Sequence, residues 1–165
     1  MRSQIDGDRL RDAEAIKQHY ESNSGDPDQV LWAFLNALLL LEENANDAMA
    51  VCALMMRDAD RRDDRNRITS LMPSCMREQS EFYRLKANKL IARSYVGCDG
   101  PPEYALADEG KISVDVKSKE EAGPGLLKYF IWSSGKDNAT PVKLRDVNGS
   151  WVLDEWSSIT TGVRK

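Results

Sequence analysis

The last third of the chain is built from short runs in which apolar and polar residues alternate, a pattern that predicts an antiparallel sheet. Residues 126–133 (LLKYFIWS) are rich in aromatic and β-branched side chains, which suit a half-buried pleated surface. Residues 142–147 and 151–156 follow and are separated by an Asn-Gly turn at 148–149. Because Asn-Gly supplies the two positive φ angles of a type I′ turn, we predict a hairpin at these two runs.

Residues 112–116 alternate in the same way and predict a fourth strand. The charged residues that follow, 117–125, predict a flexible connection between this strand and the next. The segment at 97–102 (GCDGPP) is the strongest interruption of the pattern, because Gly and Pro end regular structure. We place the boundary between a helical part and a sheet part there.

Before this boundary the apolar residues recur at helical spacing and predict four helices. The predicted helices cover 8–20, 27–43, 47–58 and 77–91. The second begins with Asp26 as its cap and Pro27 in its first turn, and it is apolar nearly all round. We expect it to lie at the centre of the helical part and to pack on the sheet. The expectation is a single α+β domain over 1–165, with about four helices at about 8–96 packed on a small C-terminal antiparallel sheet of about four strands at about 110–160.

Composition and charge are those of an ordinary globular protein that is mildly acidic. The 165 residues are 41% hydrophobic and 30% charged, with a formal net charge of -4. This charge disfavours a general nucleic-acid binder and is compatible with a basic partner. We see no signal peptide and no apolar run long enough to span a bilayer, and the three Cys residues are dispersed. We therefore expect a cytoplasmic protein with no membrane span.

Residues 58–67 (DADRRDDRNR) mix acidic and basic side chains whose charges nearly cancel. Such a run is usually a solvated helix face or a loop with local ion pairs. The other interpretation is a surface that faces a partner. The candidate partner-binding residues are then Asp58, Asp60, Asp63 and Asp64. The spacing of a calcium-binding loop is absent, so we predict no metal site.

No motif in the sequence assembles a catalytic or cofactor site. A phosphate-binding glycine loop, a nucleophile elbow and a zinc-binding HExxH motif are all absent. His19 is the single histidine, which excludes a multi-histidine metal site. We predict packing roles for Trp132, Trp151 and Trp156, with an aromatic ligand platform as the less favoured interpretation. The expectation is therefore a protein that is not an enzyme and needs no cofactor.

Several short segments, taken in order, resemble a bacterial domain family of unknown function. The segments are ARSY at 92–95, GPPEY at 100–104, YFI at 129–131, SSG at 133–135, PVKLR at 141–145, GSW at 149–151, EWSSI at 155–159 and GVR at 162–164. Members of this family pair an N-terminal helical segment with a C-terminal sheet, and the resemblance covers about 30–165. It implies the fold without implying an activity. Arg93 and Glu155 are polar positions within it, and one interpretation is a structural ion pair between them.

Three functions remain open from the sequence. The first is an immunity protein, which binds and neutralises a toxin from a contact-dependent or type VI secretion system, with carboxylates that occlude a basic cleft. The second is a small-molecule-binding or enzymatic α+β domain of cone shape. A pocket lined by Trp132, Trp156 and buried carboxylates would favour this second class, and a filled core would favour the first. The third is an adaptor subunit with an exposed apolar patch on its Met-rich helix.

Overall fold

The computed structural model describes residues 3–56, 61–64, 67–71, 84–85 and 87–165. These residues form an antiparallel sheet with helices packed on it, which confirms the α+β prediction. Most of the predicted helix at 77–91 lies outside the described residues. Within them, no helix is long and apolar enough to cross a membrane.

Residues 84, 85 and 87 are helical, and four α-helices have both ends within the described residues. They are α1 (Ala13–Asn23), α2 (Pro27–Leu39), α3 (Ala45–Leu54) and α4 (Leu90–Arg93), and α2 continues into a 3-10 helix (Leu40–Glu42). The carboxylate of Asp26 accepts a hydrogen bond from the backbone N–H of Asp28, and Pro27 occupies the first turn, as predicted for the start of α2. Helix α1 begins five residues later than predicted, because Asp12 caps it and the residues before Asp12 extend into a strand.

Five strands form the main sheet in the order β1-β4-β5-β6-β7, and every neighbouring pair is antiparallel. They are β1 (Ser3–Asp8), β4 (Lys111–Gly123), β5 (Leu126–Ile131), β6 (Thr140–Val147) and β7 (Ser150–Glu155). Two further strands, β2 (Arg61–Asp64) and β3 (Arg67–Leu71), pair only with each other among the described strands. The predicted Asn-Gly hairpin is confirmed, since Asn148 has φ 54° and Gly149 has φ 89°.

The sheet departs from the prediction at both ends of β4. Strand β1 was not predicted because Ile5 is the only large apolar residue in it; Ile5 pairs with Val114 of β4. The predicted flexible connection at 117–125 is wrong for most of its length, since β4 continues to Gly123 and pairs with β5. Its charged side chains are exposed there, so the run lacks the apolar alternation that marks a strand.

Helix α2 lies in the centre of the core, as predicted. Every residue from 30 to 39 is buried, and the apolar ones share one core cluster with the apolar residues that β4, β5 and β6 direct inward. The inward residues are Ile112, Val114, Val116, Tyr129, Ile131, Val142 and Leu144. Trp156 packs edge-on against Phe34 of α2, with ring centroids 5.4 Å apart. The core between helices and sheet is therefore filled by side chains.

Candidate functional site

The structure describes only part of the predicted acidic patch. Asp58 and Asp60 lie outside the described residues. Asp63 and Asp64 lie in β2, where their backbones pair with Ile68 and Arg67 of β3. The helix-face or loop interpretation of this run is therefore wrong for β2 and for Arg67, the first residue of β3. The two strands form a hairpin that lies against α3. The hairpin is separate from the five-stranded sheet.

The predicted ion pair between Arg93 and Glu155 is wrong. The guanidinium of Arg93 binds both carboxylate oxygens of Glu42, at 2.6 and 3.1 Å, and both oxygens of Glu109, at 3.1 and 3.2 Å. Glu155 instead lies opposite Lys143 on the neighbouring strand, and its carboxylate is 3.5 Å from the ammonium of Lys143. The reason is the register of β6 and β7, which fixes Glu155 next to Lys143.

Arg93 is the centre of a charged cluster that joins three parts of the chain. Arg9 is buried and contacts both Glu42 and Glu109, so the cluster links the end of β1, the end of α2 and the loop before β4. The hydrogen bonds that Arg93 donates to the carboxylates of Glu42 and Glu109 raise the pKa of Arg93, and the hydrogen bond from Arg93 lowers the pKa of Glu109. The cluster therefore holds α4 against the helical part.

Three of the segments that carry the family resemblance, at 92–95, 133–135 and 162–164, meet around the loop after β5. The hydroxyl of Ser133 donates to the hydroxyl of Ser94 at 2.7 Å, and the backbone N–H of Ser134 donates to the carbonyl of Ser94 at 2.8 Å. The backbone N–H of Arg164 donates to the carbonyl of Gly135 at 3.0 Å. Segments that are distant in sequence therefore form one junction between α4, the loop and the C-terminal residues.

The ammonium group of Lys136 connects the parts of this junction by hydrogen bonds. It donates to the hydroxyls of Tyr95 and Thr161, both at 2.6 Å, and to the carbonyl of Ser158 at 3.0 Å. Burial lowers the pKa of Lys136 to about 8 and raises the pKa of Tyr95 to about 12. Lys136 was not singled out from the sequence, because its partners are 22 to 41 residues away and carry no motif.

A cleft of about 450 Å³ opens beside this junction. Its lining residues are Ser94, Tyr95, Gly97, Cys98, Ser113, Asp115, Trp132, Ser133 and Ser134. Trp132 is half-buried at the end of β5, and the ammonium of Lys117 lies 5.3 Å from its ring centroid. The Sγ of Cys98 donates to the carbonyl of Arg93 at 2.7 Å, and burial raises the pKa of this thiol. Cys98 therefore lines the cleft with a neutral thiol and is not a nucleophile.

A second cleft, of about 490 Å³, shares Gly97 and Ser113 with the first. Asp6 and Asp8 of β1 line it, and the hydroxyl of Ser113 donates to the carboxylate of Asp6 at 2.5 Å. The two clefts therefore adjoin along the outer side of β4. In the part of the chain that the structure describes, no three His, Cys, Asp or Glu side chains are grouped to hold a metal ion.

The aromatic residues proposed for a pocket are divided between two environments. Trp132 lines the first cleft together with the half-buried Asp115, whereas Trp156 is 3% exposed and belongs to the filled core. Trp151 is half-buried and packs at the edge of the core, where its carbonyl accepts a hydrogen bond from Tyr20 at 3.0 Å. Packing is confirmed for Trp151 and Trp156, and Trp132 alone reaches a cleft.

Comparison with known proteins gives a family and no close relative of established activity. No curated protein and no solved structure matches the chain. A family model described as "Domain of unknown function (DUF6935)" matches residues 11–165. The match begins earlier than the resemblance seen in the sequence, and it takes in α1 as well as α2. Because it spans nearly all of the chain, the protein belongs to this family of domains of unknown function.

Proposed function

We propose that the protein binds another protein without catalysis, and that it is an immunity protein that neutralises a secreted antibacterial toxin. The observation that supports this proposal is the β2–β3 hairpin, which carries Asp63 and Asp64 outside the main sheet. Because β2 and β3 pair only with each other among the described strands, a partner could bind this hairpin without breaking the pairing of the five-stranded sheet. The filled core between α2 and the sheet agrees with a protein that acts through its surface.

The net charge of this protein indicates the charge that its partner should carry. The chain has a net charge of -4, so its field attracts a basic protein and speeds their encounter. Carboxylates that enter a basic active-site cleft would exclude the toxin's substrate and pair with its cations. The proposed partner is therefore a toxin domain with a basic cleft.

The test is calorimetric titration of the protein with the product of its neighbouring gene as the candidate toxin domain, at low and high salt. The variant Asp63→Asn/Asp64→Asn is expected to bind at least about tenfold more weakly at low salt, since close charge pairs across interfaces contribute more than about 1 kcal/mol each. The matched control is Glu120→Gln/Glu121→Gln, which removes the same charge from exposed positions of β4. Equal weakening by both variants, or loss of binding only when the sheet is altered, would contradict the role of the hairpin.

A further inference from the structure

We propose that the ε-amino group of Lys136 is a covalent modification site for small uncharged aldehydes, with which it forms an imine. The site is the cleft between the loop after β5 and the C-terminal residues, which we call the terminal cleft. None of the residues that line this cleft belongs to the β2–β3 hairpin, so the proposal does not depend on toxin binding.

The amine of Lys136 lies at the wall of the terminal cleft. This cleft has a volume of about 590 Å³ and is lined by residues 135–141, 158 and 161–164. The ammonium donates to the carbonyl of Ser158 at 3.0 Å and to the hydroxyl of Thr161 at 2.6 Å, and both residues line the cleft. The third acceptor, Tyr95, is 1% exposed and lies outside the cleft lining. A small molecule in the cleft therefore approaches the amine from the side of Thr161, which is exposed.

Lys136 differs from other lysines of the sheet region in its partners. Lys111, Lys119 and Lys143 each form an ion pair with a carboxylate. A carboxylate favours the protonated form of a lysine. Among the described residues, the hydrogen-bond partners of the Lys136 ammonium are three neutral oxygens. Burial is therefore not offset by an opposite charge, and it lowers the pKa of Lys136 to about 8.

The internal hydrogen bonds of Lys136 hold its protonated form and leave the neutral form able to react. A neutral amine has two N–H groups and one lone pair, so it cannot donate to Tyr95, Ser158 and Thr161 at once. The hydroxyl of Thr161 already donates to the carbonyl of Ser158 at 2.9 Å and has no second proton for the lone pair. Loss of the exposed bond to Thr161 therefore turns the lone pair towards the cleft.

An aldehyde is the reactant that suits this amine. The nitrogen attacks the carbonyl carbon, and the carbonyl oxygen takes up the proton that the nitrogen loses. The resulting hydroxyl group leaves with the second proton of the nitrogen as water, so the C=N bond forms without an oxidant or a reductant. An aldehyde carbon carries one hydrogen and therefore fits beside a half-buried amine. Arg164 and Asp137, the other charged residues that line the cleft, pair with each other, which favours an uncharged ligand.

The test uses the purified protein and propanal, with sodium cyanoborohydride to trap the imine as a stable secondary amine. Peptide mass spectrometry then gives the rate of labelling at each lysine. At about pH 7.5, roughly a quarter of an amine of pKa about 8 is neutral, against about one in a thousand for an ordinary lysine. We expect Lys136 to be labelled at least about fivefold faster than Lys143, because the larger neutral fraction outweighs its restricted access. Lys143 is the matched control, since it is also half-buried but pairs with Glu155.

Labelling in urea separates the effect of the fold from that of the local sequence. Faster labelling of Lys136 in the folded protein, with equal rates for Lys136 and Lys143 in urea, supports the proposal. Labelling of Lys136 at the rate of Lys143 or below it in the folded protein would overturn it, as would a preference that persists in urea. Without cyanoborohydride the adduct should disappear on dilution, and an adduct that persists would show that the product is not an imine.

Discussion

Ser133 donates a hydrogen bond of 2.7 Å to Ser94, and both side chains are buried although they lie 39 residues apart in the chain. The same hydroxyl of Ser133 accepts a hydrogen bond from the backbone N–H of Gly135 at 3.1 Å. The hydroxyl of Ser94 in turn donates a hydrogen bond to the carbonyl of Ile91 at 2.7 Å. This chain of hydrogen bonds joins the loop after β5 to α4 and shapes one wall of the cleft.

Ser133→Ala should lower the free energy of unfolding by about 1–3 kcal/mol, because it leaves the buried N–H of Gly135 without its acceptor. Urea denaturation measures this change. Ser118→Ala is the control, since Ser118 is a half-buried serine of β4 away from the junction. Equal stability of Ser133→Ala and the wild type would show that the loop is held by its backbone contacts alone.

Gly135→Ala should destabilise the protein through a steric clash. A Cβ at this position would lie 2.6 Å from both the hydroxyl oxygen of Tyr104 and the Cβ of Val163. Overpacking of this kind typically costs about 1–3 kcal/mol, since the neighbours must move. Gly162→Ala is the matched control, because a Cβ there meets nothing within 4 Å. Thermal melting of the two variants should show a lower Tm for Gly135→Ala only, and equal Tm values would contradict the close packing of Tyr104 and Val163 around Gly135.

Arg93→Lys should destabilise the protein by about 1–2 kcal/mol, because lysine cannot make the two-pronged contacts of Arg93 with Glu42 and Glu109. Glu155→Gln should change stability by less than about 1 kcal/mol, since its pair with Lys143 is largely exposed. Chemical denaturation of both variants compares the two ion pairs directly. A larger effect for Glu155→Gln would favour the pairing that the sequence suggested.

The parts of the fold that local patterns determine were predictable from the sequence. The Asn148–Gly149 turn and the apolar helix α2 are examples, because turn chemistry and helical periodicity act over a few residues. Strand β1 and the charged end of β4 were not predictable in this way. Their backbones are held by pairing with distant strands, and their side chains show little apolar alternation.

The candidate site was less predictable than the fold, for the same physical reason. Arg93 was singled out, yet its partner Glu42 is 51 residues away, and a carboxylate carries no sequence signal for the cation that it will meet. Trp132 was predicted to pack, because a tryptophan at the end of a strand has the same sequence pattern whether it faces the core or a cleft. The tertiary structure distinguishes the two, since Trp132 lines the cleft and Trp156 is 3% exposed in the core.

Lys136 should make the stability of the protein depend on pH above neutrality. Burial lowers its pKa from 10.5 to about 8, so the folded state loses this proton at a lower pH than the unfolded state. Between about pH 8 and pH 10.5 the unfolded state binds more protons at this site, and the free energy of unfolding must therefore rise with pH. Below about pH 8 both states are protonated, and the contribution is constant.

Lys136→Met isolates this effect, because it removes the titrating group and leaves Tyr95 in place. Urea denaturation of both proteins from about pH 7 to about pH 10 gives the difference in the free energy of unfolding, wild type minus variant. We expect this difference to become more positive as the pH rises above about 8, since the wild type sheds a charge that is costly to bury. A difference that stays flat would mean that the hydrogen bonds from Lys136 to Tyr95, Ser158 and Thr161 offset the cost of burial. A difference that falls would mean that these three neutral oxygens stabilise the ammonium more than water does, and that Lys136 fastens the C-terminal segment through its charged form.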